Sequence, residues 1–259
     1  MTYKTILVED DGPVRWVTLN RPEAGNTFTL ELLHEMKHAL ERSRVDDKTR
    51  VLVITGAGDK FFCLGGDKSG LPDTHTYRGV LPVVDVYELI EKHPKPVIAS
   101  VNGFAVGGGH VLQVVCDISI AKESAIFRQV GPLMGSFDAG YGTWYLEDTV
   151  GKKRAKEIWF LNEKLTATQA LSFGLINRVV PDHQLREATR ELALTVAQRG
   201  SQALAVVKSS FAARSAGASG LSRMAHDLLL RYYLESEEAK ELARSFSAHE
   251  PANPQAFGH

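Results

Sequence analysis

An α/β core extended by a helical C-terminal region is the fold class this sequence predicts, on three observations. Short apolar runs rich in β-branched residues alternate with helical patterns up to about residue 180. From about 183 to near 247 only helical periodicity remains. The 259 residues, 44% hydrophobic and 24% charged, suffice for one large α/β domain with an appendage. The expected division is an α/β core over 1–198 and a helical region over 199–259.

Each element has its own signal. "YKTILVEDDGPVRWVTLN" reads as a β-hairpin, because two β-rich runs flank the turn residues Asp10-Asp11-Gly12-Pro13. "TLELLHEMKHALERS" places Leu30, Leu33, Met36 and Leu40 near one helical face. "VLVIT" at 51–55 is a continuous apolar run suited to a buried parallel strand. A helix follows around "LPVVDVYELIEKH", then a strand in "KPVIASVNG", a helix in "HVLQVVCD" and strand material in "ISIAKESAIF". Thr166 and Gln169 have capping-box spacing, and Gly174 stands where a C-terminal cap belongs. "LINRVVP" is a strand ended by Pro181. In the helical remainder, Gly200 followed by Ser201 marks a break and a new N-cap.

Composition excludes several function classes. Thirty basic and 31 acidic residues give a formal charge of −1, so no strong long-range field attracts nucleic acid or an anionic membrane. Cys63 and Cys116 form no CxxC pair and no metal-site spacing, which fits reduced thiols in a cytoplasmic protein. "MTYKTILVED" does not read as a signal peptide, and no apolar run approaches the ~18 residues of a membrane helix.

Glycine clusters carry the chemical signal. "GAGD" at 56–59 begins like a dinucleotide fingerprint, but Phe61 takes the third glycine position and the reading fails. "FFCLGGDKSG" and "VNGFAVGGGHVLQVVCD" remain, the latter with Gly107-Gly108-Gly109 just before a helical pattern. Backbone N–H groups at a helix start are unpaired, and glycine lets a ligand approach them. A third stretch, "VGPLMGSFDAGYG" at 130–142, sets the single carboxylate of Asp138 among four glycines. By itself this fits a surface turn as well as an active-site loop.

Taken together, "RPEAGNTF", "FFCLGGD", "PKPVIASVNGFAVGGGHVLQVVCD", "AIFRQVGP" and "TATQALSFGLINRVVP" resemble the crotonase, or enoyl-CoA hydratase/isomerase, superfamily. The resemblance implies a spiral of ββα units with C-terminal helices that pack trimers, usually paired into hexamers. It implies an acyl-CoA substrate, with coenzyme A entering as part of it and no tightly bound cofactor or metal. By position it assigns an oxyanion hole to the backbone N–H groups of Gly66 and Gly108. Two such donors aimed at a thioester oxygen stabilise an enolate, and losing one raises a barrier by ~3 kcal/mol.

Hydratases of the superfamily resemble one another in two glutamates, whose places here are Val111 and Gly131. Neither can carry a proton, so water addition by two carboxylates is not expected. "QVGPLMGSFDAGYGTWYL" and "VGKKRAKEIWFLN" look like the ring-opening 2-ketocyclohexanecarboxyl-CoA hydrolases and the ring-closing 1,4-dihydroxy-2-naphthoyl-CoA synthases. That likeness nominates Asp138 as catalytic carboxylate, Ser136 as a hydrogen-bond partner of the ring ketone and Tyr233 as a C-terminal contributor. It also offers an anion site, for bicarbonate, at Gln129, Gly131 and Trp159. His110 beside the oxyanion glycines is a tempting base, but no acidic neighbour in sequence supports it.

The synthases follow the GGD motif with a basic run that suits a substrate bearing a free carboxylate. Here only Lys68 and Arg78 stand in that region, and "SFSAHEPANPQAF" has no Lys or Arg. Hydrolytic opening of a cyclic β-keto acyl-CoA is therefore the expectation, with ring closure, enoyl-CoA isomerisation and a non-catalytic binding role as alternatives. Gly25 replaces a basic residue that relatives often use on a coenzyme phosphate, and Lys208 is the cation left to meet coenzyme A.

Overall fold

The computed structural model describes residues 2–67, 82–214, 217 and 230–253. The hairpin forms as expected, β1 (Ile6–Asp11) antiparallel to β2 (Val14–Leu19). Helix α1 (Leu30–Arg44) starts at Thr29, whose side chain accepts from the Leu32 amide. Its inward face carries Leu32, Leu33, Met36 and Leu40, with Leu32 rather than Leu30 completing the stripe.

Three ββα units then follow one another. The first is β3 (Val51–Gly56), β4 (Phe61–Cys63) and α2 (Pro82–Glu91). The second is β5 (Val97–Val101), β6 (Phe104–Val106) and α3 (Gly108–Val115). The third is β7 (Ile118–Lys122), β8 (Ile126–Arg128) and the short α4 (Gly131–Met134). "ISIAKESAIF" is thus two strands, not one, and they enter different sheets. Helix α3 begins two residues before "HVLQVVCD", because Gly108 and Gly109 form its first turn.

Helices α5 (Trp144–Val150) and α6 (Lys152–Leu161) lead to β9 (Leu165–Thr166) and α7 (Ala167–Ser172). The capping box of Thr166 and Gln169 is formed in full, and Gly174 adopts a left-handed φ of 74° beyond the helix end. β10 (Arg178–Val180), α8 (Leu185–Ala197), α9 (Ser201–Arg214), α10 (Arg231–Leu234) and α11 (Glu237–Ala248) complete the described chain.

The first strand of each unit joins a six-stranded sheet ordered β1-β2-β3-β5-β7-β10; the second joins a four-stranded sheet ordered β4-β6-β8-β9. Each unit steps one strand along both sheets, which is the expected spiral. β3 is buried at every position, as its unbroken apolar run predicts. One face of the large sheet buries Leu19, Leu52 and Ile54 with α1 and α2; the other packs Trp16, Val53 and Ile98 against Leu192 and Ala193 of α8. Each Val, Leu or Ile among them contributes roughly 1.5–3 kcal/mol on burial. No helix among the described residues is long and apolar enough to cross a membrane.

Candidate active site

β4, β6 and β8 are neighbouring parallel strands, so the loops leaving their C-terminal ends emerge at one edge of the small sheet. There lie the segments 64–67, 107–109 with the first turn of α3, and 129–139 with α4, the three stretches singled out by their glycines. The carboxyl ends of parallel strands are where α/β folds present their sites.

The first two loops lie backbone to backbone. Gly65 has φ of 84°, and a Cβ there would stand 2.8 Å from the Gly108 nitrogen. A Cβ on Gly109 would stand 2.0 Å from the Cys63 carbonyl oxygen. Side chains at these places would force the loops apart, which is why the motif needs glycine. Gly66 differs, since nothing among the described residues lies within 4 Å of where its Cβ would be.

The bridge between Phe28 and Gly66 is made by groups flanking the glycine. The Phe28 amide donates to the Gly65 carbonyl (2.7 Å), and the Asp67 amide to the Phe28 carbonyl (3.0 Å). The N–H of Gly66 is left out of the ladder and has no acceptor among the described residues. Arg21 fixes this strand-like segment from below, donating to Asp67 Oδ2 (2.8 Å) and to the Thr27 carbonyl (2.8 Å). Gly108 is the first residue of α3, and its N–H likewise has no acceptor among the described residues. The Tyr87 hydroxyl, from α2, donates to the Gly108 carbonyl at 2.9 Å. The two N–H groups expected to form the oxyanion hole thus stand on backbones that meet at Gly65 and Gly108, and neither has an acceptor among the described residues.

Asp138 is half-buried on the third loop. A Cβ on Gly142 would come within 2.7 Å of the Asp138 Cβ and 3.3 Å of the Val111 side chain. Asp138 and Val111 thus border the same glycine. The Asp138 charge reaches both flanks of Gly108. Burial pushes the Tyr87 phenol well above its ordinary range and Asp138 adds to the shift. At His110 burial drives the imidazole down to about 4, with Asp138 opposing. His110 is fully buried and neutral at pH 7, its Nδ1 3.0 Å from the Gln129 amide nitrogen. Its burial leaves none of the ring on the surface.

Ser136 lies two residues before Asp138, half-buried, with its hydroxyl unpartnered among the described residues. Tyr233 reaches the same loop, its ring 5.6 Å from that of Phe137. Its hydroxyl, however, donates to Glu238 at 2.8 Å, and burial together with that bond pushes the phenol up to about 12. Tyr233 therefore supports the loop through its ring rather than delivering a hydroxyl to the site.

Two expected sites have close neighbours of their own. A Cβ on Gly131 would meet the Ser136 carbonyl oxygen at 2.8 Å and the Trp159 ring at 3.1 Å, so no side chain fits at that position. The Trp159 indole N–H is spent on the Gly142 carbonyl (2.7 Å), and Gln129 turns its amide to His110. Lys208, expected at coenzyme A, is ion-paired with Asp117 at 2.6 Å with its side chain 10% exposed. Gly25 has φ of 66° and backs onto Leu64, a structural reason for the missing basic residue. Lys68 and Arg78 lie outside the described residues.

Sequence reasoning missed Tyr87, Arg21, and the carboxylate of Glu91 that accepts from Tyr141 and Tyr145. The one available signal was the four-residue spacing of Tyr87 and Glu91 on an apolar helix.

Comparison with known proteins agrees with this geometry. A family model described as enoyl-CoA hydratase/isomerase matches residues 9–254. The crystal structure of an enoyl-CoA hydratase from Bacillus anthracis is 28% identical, with 96% of this chain and 98% of that chain covered and a TM-score of 0.75. An enoyl-CoA hydratase from Mycobacterium avium subsp. paratuberculosis K-10 is 25% identical over 97% and 99%, with a TM-score of 0.87. A monofunctional enoyl CoA isomerase from M. smegmatis is 30% identical over 82% and 94%, with a TM-score of 0.71.

Proposed function

The chain belongs to the enoyl-CoA hydratase/isomerase family, and on that premise we propose that it opens the ring of a cyclic β-keto acyl-CoA by hydrolysis. The observation that carries the reading is the pairing of one carboxylate, Asp138, with two backbone donors that have no acceptor among the described residues, while Val111 and Gly131 stand where a hydratase has its glutamates.

The thioester oxygen would sit on the Gly66 and Gly108 N–H groups. Asp138 takes a proton from water as its oxygen attacks the ring ketone, and Ser136 hydrogen-bonds the oxyanion that results. Collapse of the tetrahedral adduct restores the carbonyl as a carboxylic acid and breaks the bond to the α-carbon. The electron pair of that bond becomes the thioester enolate, held by the two amides. Asp138 then returns its proton to the α-carbon. The net change is one water added and one C–C bond broken.

The test is mass spectrometry of the protein incubated with 2-ketocyclohexanecarboxyl-CoA. A gain of one water, abolished in Asp138→Asn, is the expected result; an unchanged substrate with an intact, thioester-binding protein would sink the reading. Enoyl-CoA isomerisation is the second reading, favoured by the 30% identity to the M. smegmatis isomerase. It needs only one base, and it predicts double-bond migration with solvent proton exchange and no added water.

Self-association belongs to the same proposal. Helix α9 exposes Val206, Val207 and Phe211 at 70%, 51% and 73%, apolar surface suited to a second copy of the chain. Light scattering is expected to give a trimer or a multiple of it; a monomer at micromolar concentration would reject this part.

A further inference from the structure

Glu91 closes helix α2 and is only 6% exposed. No Lys or Arg among the described residues forms an ion pair with it. Its partners are two phenols: Tyr141 donates at 2.8 Å and Tyr145 donates to the other carboxylate oxygen. Tyr141 sits in the single turn 140–142, three residues beyond Asp138. On its other side that turn is held by the Trp159 indole, which donates to the Gly142 carbonyl at 2.7 Å. Asp138 rests against Gly142. One helical turn before Glu91, Tyr87 bonds the Gly108 carbonyl, and its ring meets Tyr141 edge-on at 5.8 Å. A single face of α2 therefore touches both the oxyanion helix and the loop that carries the carboxylate.

We propose that Glu91 is a positioning residue: through Tyr141 and Tyr145 it locks the 140–145 segment, and with it Asp138, at a fixed distance from the Gly108 amide. The physical reason lies in the cost of an unpaired buried carboxylate. Two charge-assisted bonds compensate its burial. Any loop displacement that withdraws the phenols strands the charge, and that penalty exceeds the loss of a neutral contact. An apolar residue would fill the same space without enforcing the distance. The inference rests on Asp138 as the working carboxylate.

The test joins an activity-independent measurement to a kinetic one. Hydrogen–deuterium exchange of the 135–145 segment is compared among wild type, Glu91→Leu, Glu91→Gln and Tyr145→Phe. In parallel, kcat and KM are measured with 2-ketocyclohexanecarboxyl-CoA. Glu91→Leu is expected to speed exchange in this segment and to lower kcat by about 10²-fold, the scale of a misplacement near 1 Å. KM should stay within about threefold, since the thioester donors are untouched. Glu91→Gln should recover most of the loss, because its carbonyl accepts from one phenol and its NH2 donates to the other. If Glu91→Leu does not fold, Tyr145→Phe carries the same expectation at smaller amplitude. Unchanged exchange in the variants, or Glu91→Gln as damaging as Glu91→Leu, would overturn the proposal. An Asp138→Asn enzyme as active as wild type would instead overturn the functional reading, while the exchange result would still decide whether Glu91 holds the loop.

Discussion

At the residue scale the glycines of the site divide by what their missing Cβ would touch. Gly66→Ala meets no described atom within 4 Å and ordinary backbone geometry, so the melting temperature should hold while a methyl beside the amide lowers turnover. Gly109→Ala drives a methyl into the Cys63 carbonyl and should cost at least about 1–3 kcal/mol, as overpacking does. Paired thermal melts and rate measurements separate the two; equal destabilisation would contradict the geometry. Asp138→Asn keeps the shape of the side chain and removes its basicity, so kcat should fall by about 10²–10⁴-fold with thioester binding retained. His110 and His93 shape the acid side of stability. Burial lowers both from 6.5 to about 4 in the folded chain. The unfolded chain takes up protons near 6.5 and the native one does not until about 4. The stability contribution of each neutral imidazole is thus fully present above 6.5 and lost as pH falls toward 4. Unfolding midpoints should drop across that window, and His93→Gln should flatten the decline.

At the element scale the C-terminal helix bears directly on the catalytic loop. Gly135 adopts φ of 72°, and a Cβ there would stand 2.4 Å from the Ala239 carbonyl oxygen of α11. Gly135→Ala should therefore loosen both α11 and the loop, costing about 2 kcal/mol or more through strain and overpacking. Faster amide exchange across 237–248 is the observable, and an unchanged pattern would show that this contact is dispensable. Long elements were legible because their periodicity spans several turns or a whole strand: α1, β3 and α2 stand where the sequence puts them, and the short α7 was legible through its capping box. β4, β6 and β8 hold three residues each, too short for an alternating pattern to register. Yet these strands aim all three glycine loops. The site motifs were readable while the elements that gather them were not.

At the scale of the whole molecule, Lys208 shows how tertiary contact reassigns a charge. It reaches from α9 to Asp117 and also donates to the Lys95 carbonyl at 3.3 Å, tying the C-terminal helices to the edge of the α/β core. Lys208→Met should destabilise the protein by about 2 kcal/mol, the worth of a hydrogen bond to a charged group, without weakening a coenzyme A thioester. Titration calorimetry alongside denaturant melts checks both halves; weakened thioester binding at unchanged stability would return Lys208 to the ligand. The sequence by itself determined the fold class, the glycine clusters and the lone carboxylate of the third loop. Those are local properties, set by periodicity, by glycine's freedom and by residue type. The tertiary structure alone decided that the Gly65 and Gly108 backbones meet, that the Gly66 and Gly108 amides have no acceptor among the described residues, that the Trp159 ring lies against Gly131, and that Tyr233 and Lys208 have partners of their own. Such facts depend on atoms brought together from distant parts of the chain, and no local pattern encodes whether a donor has already found its acceptor.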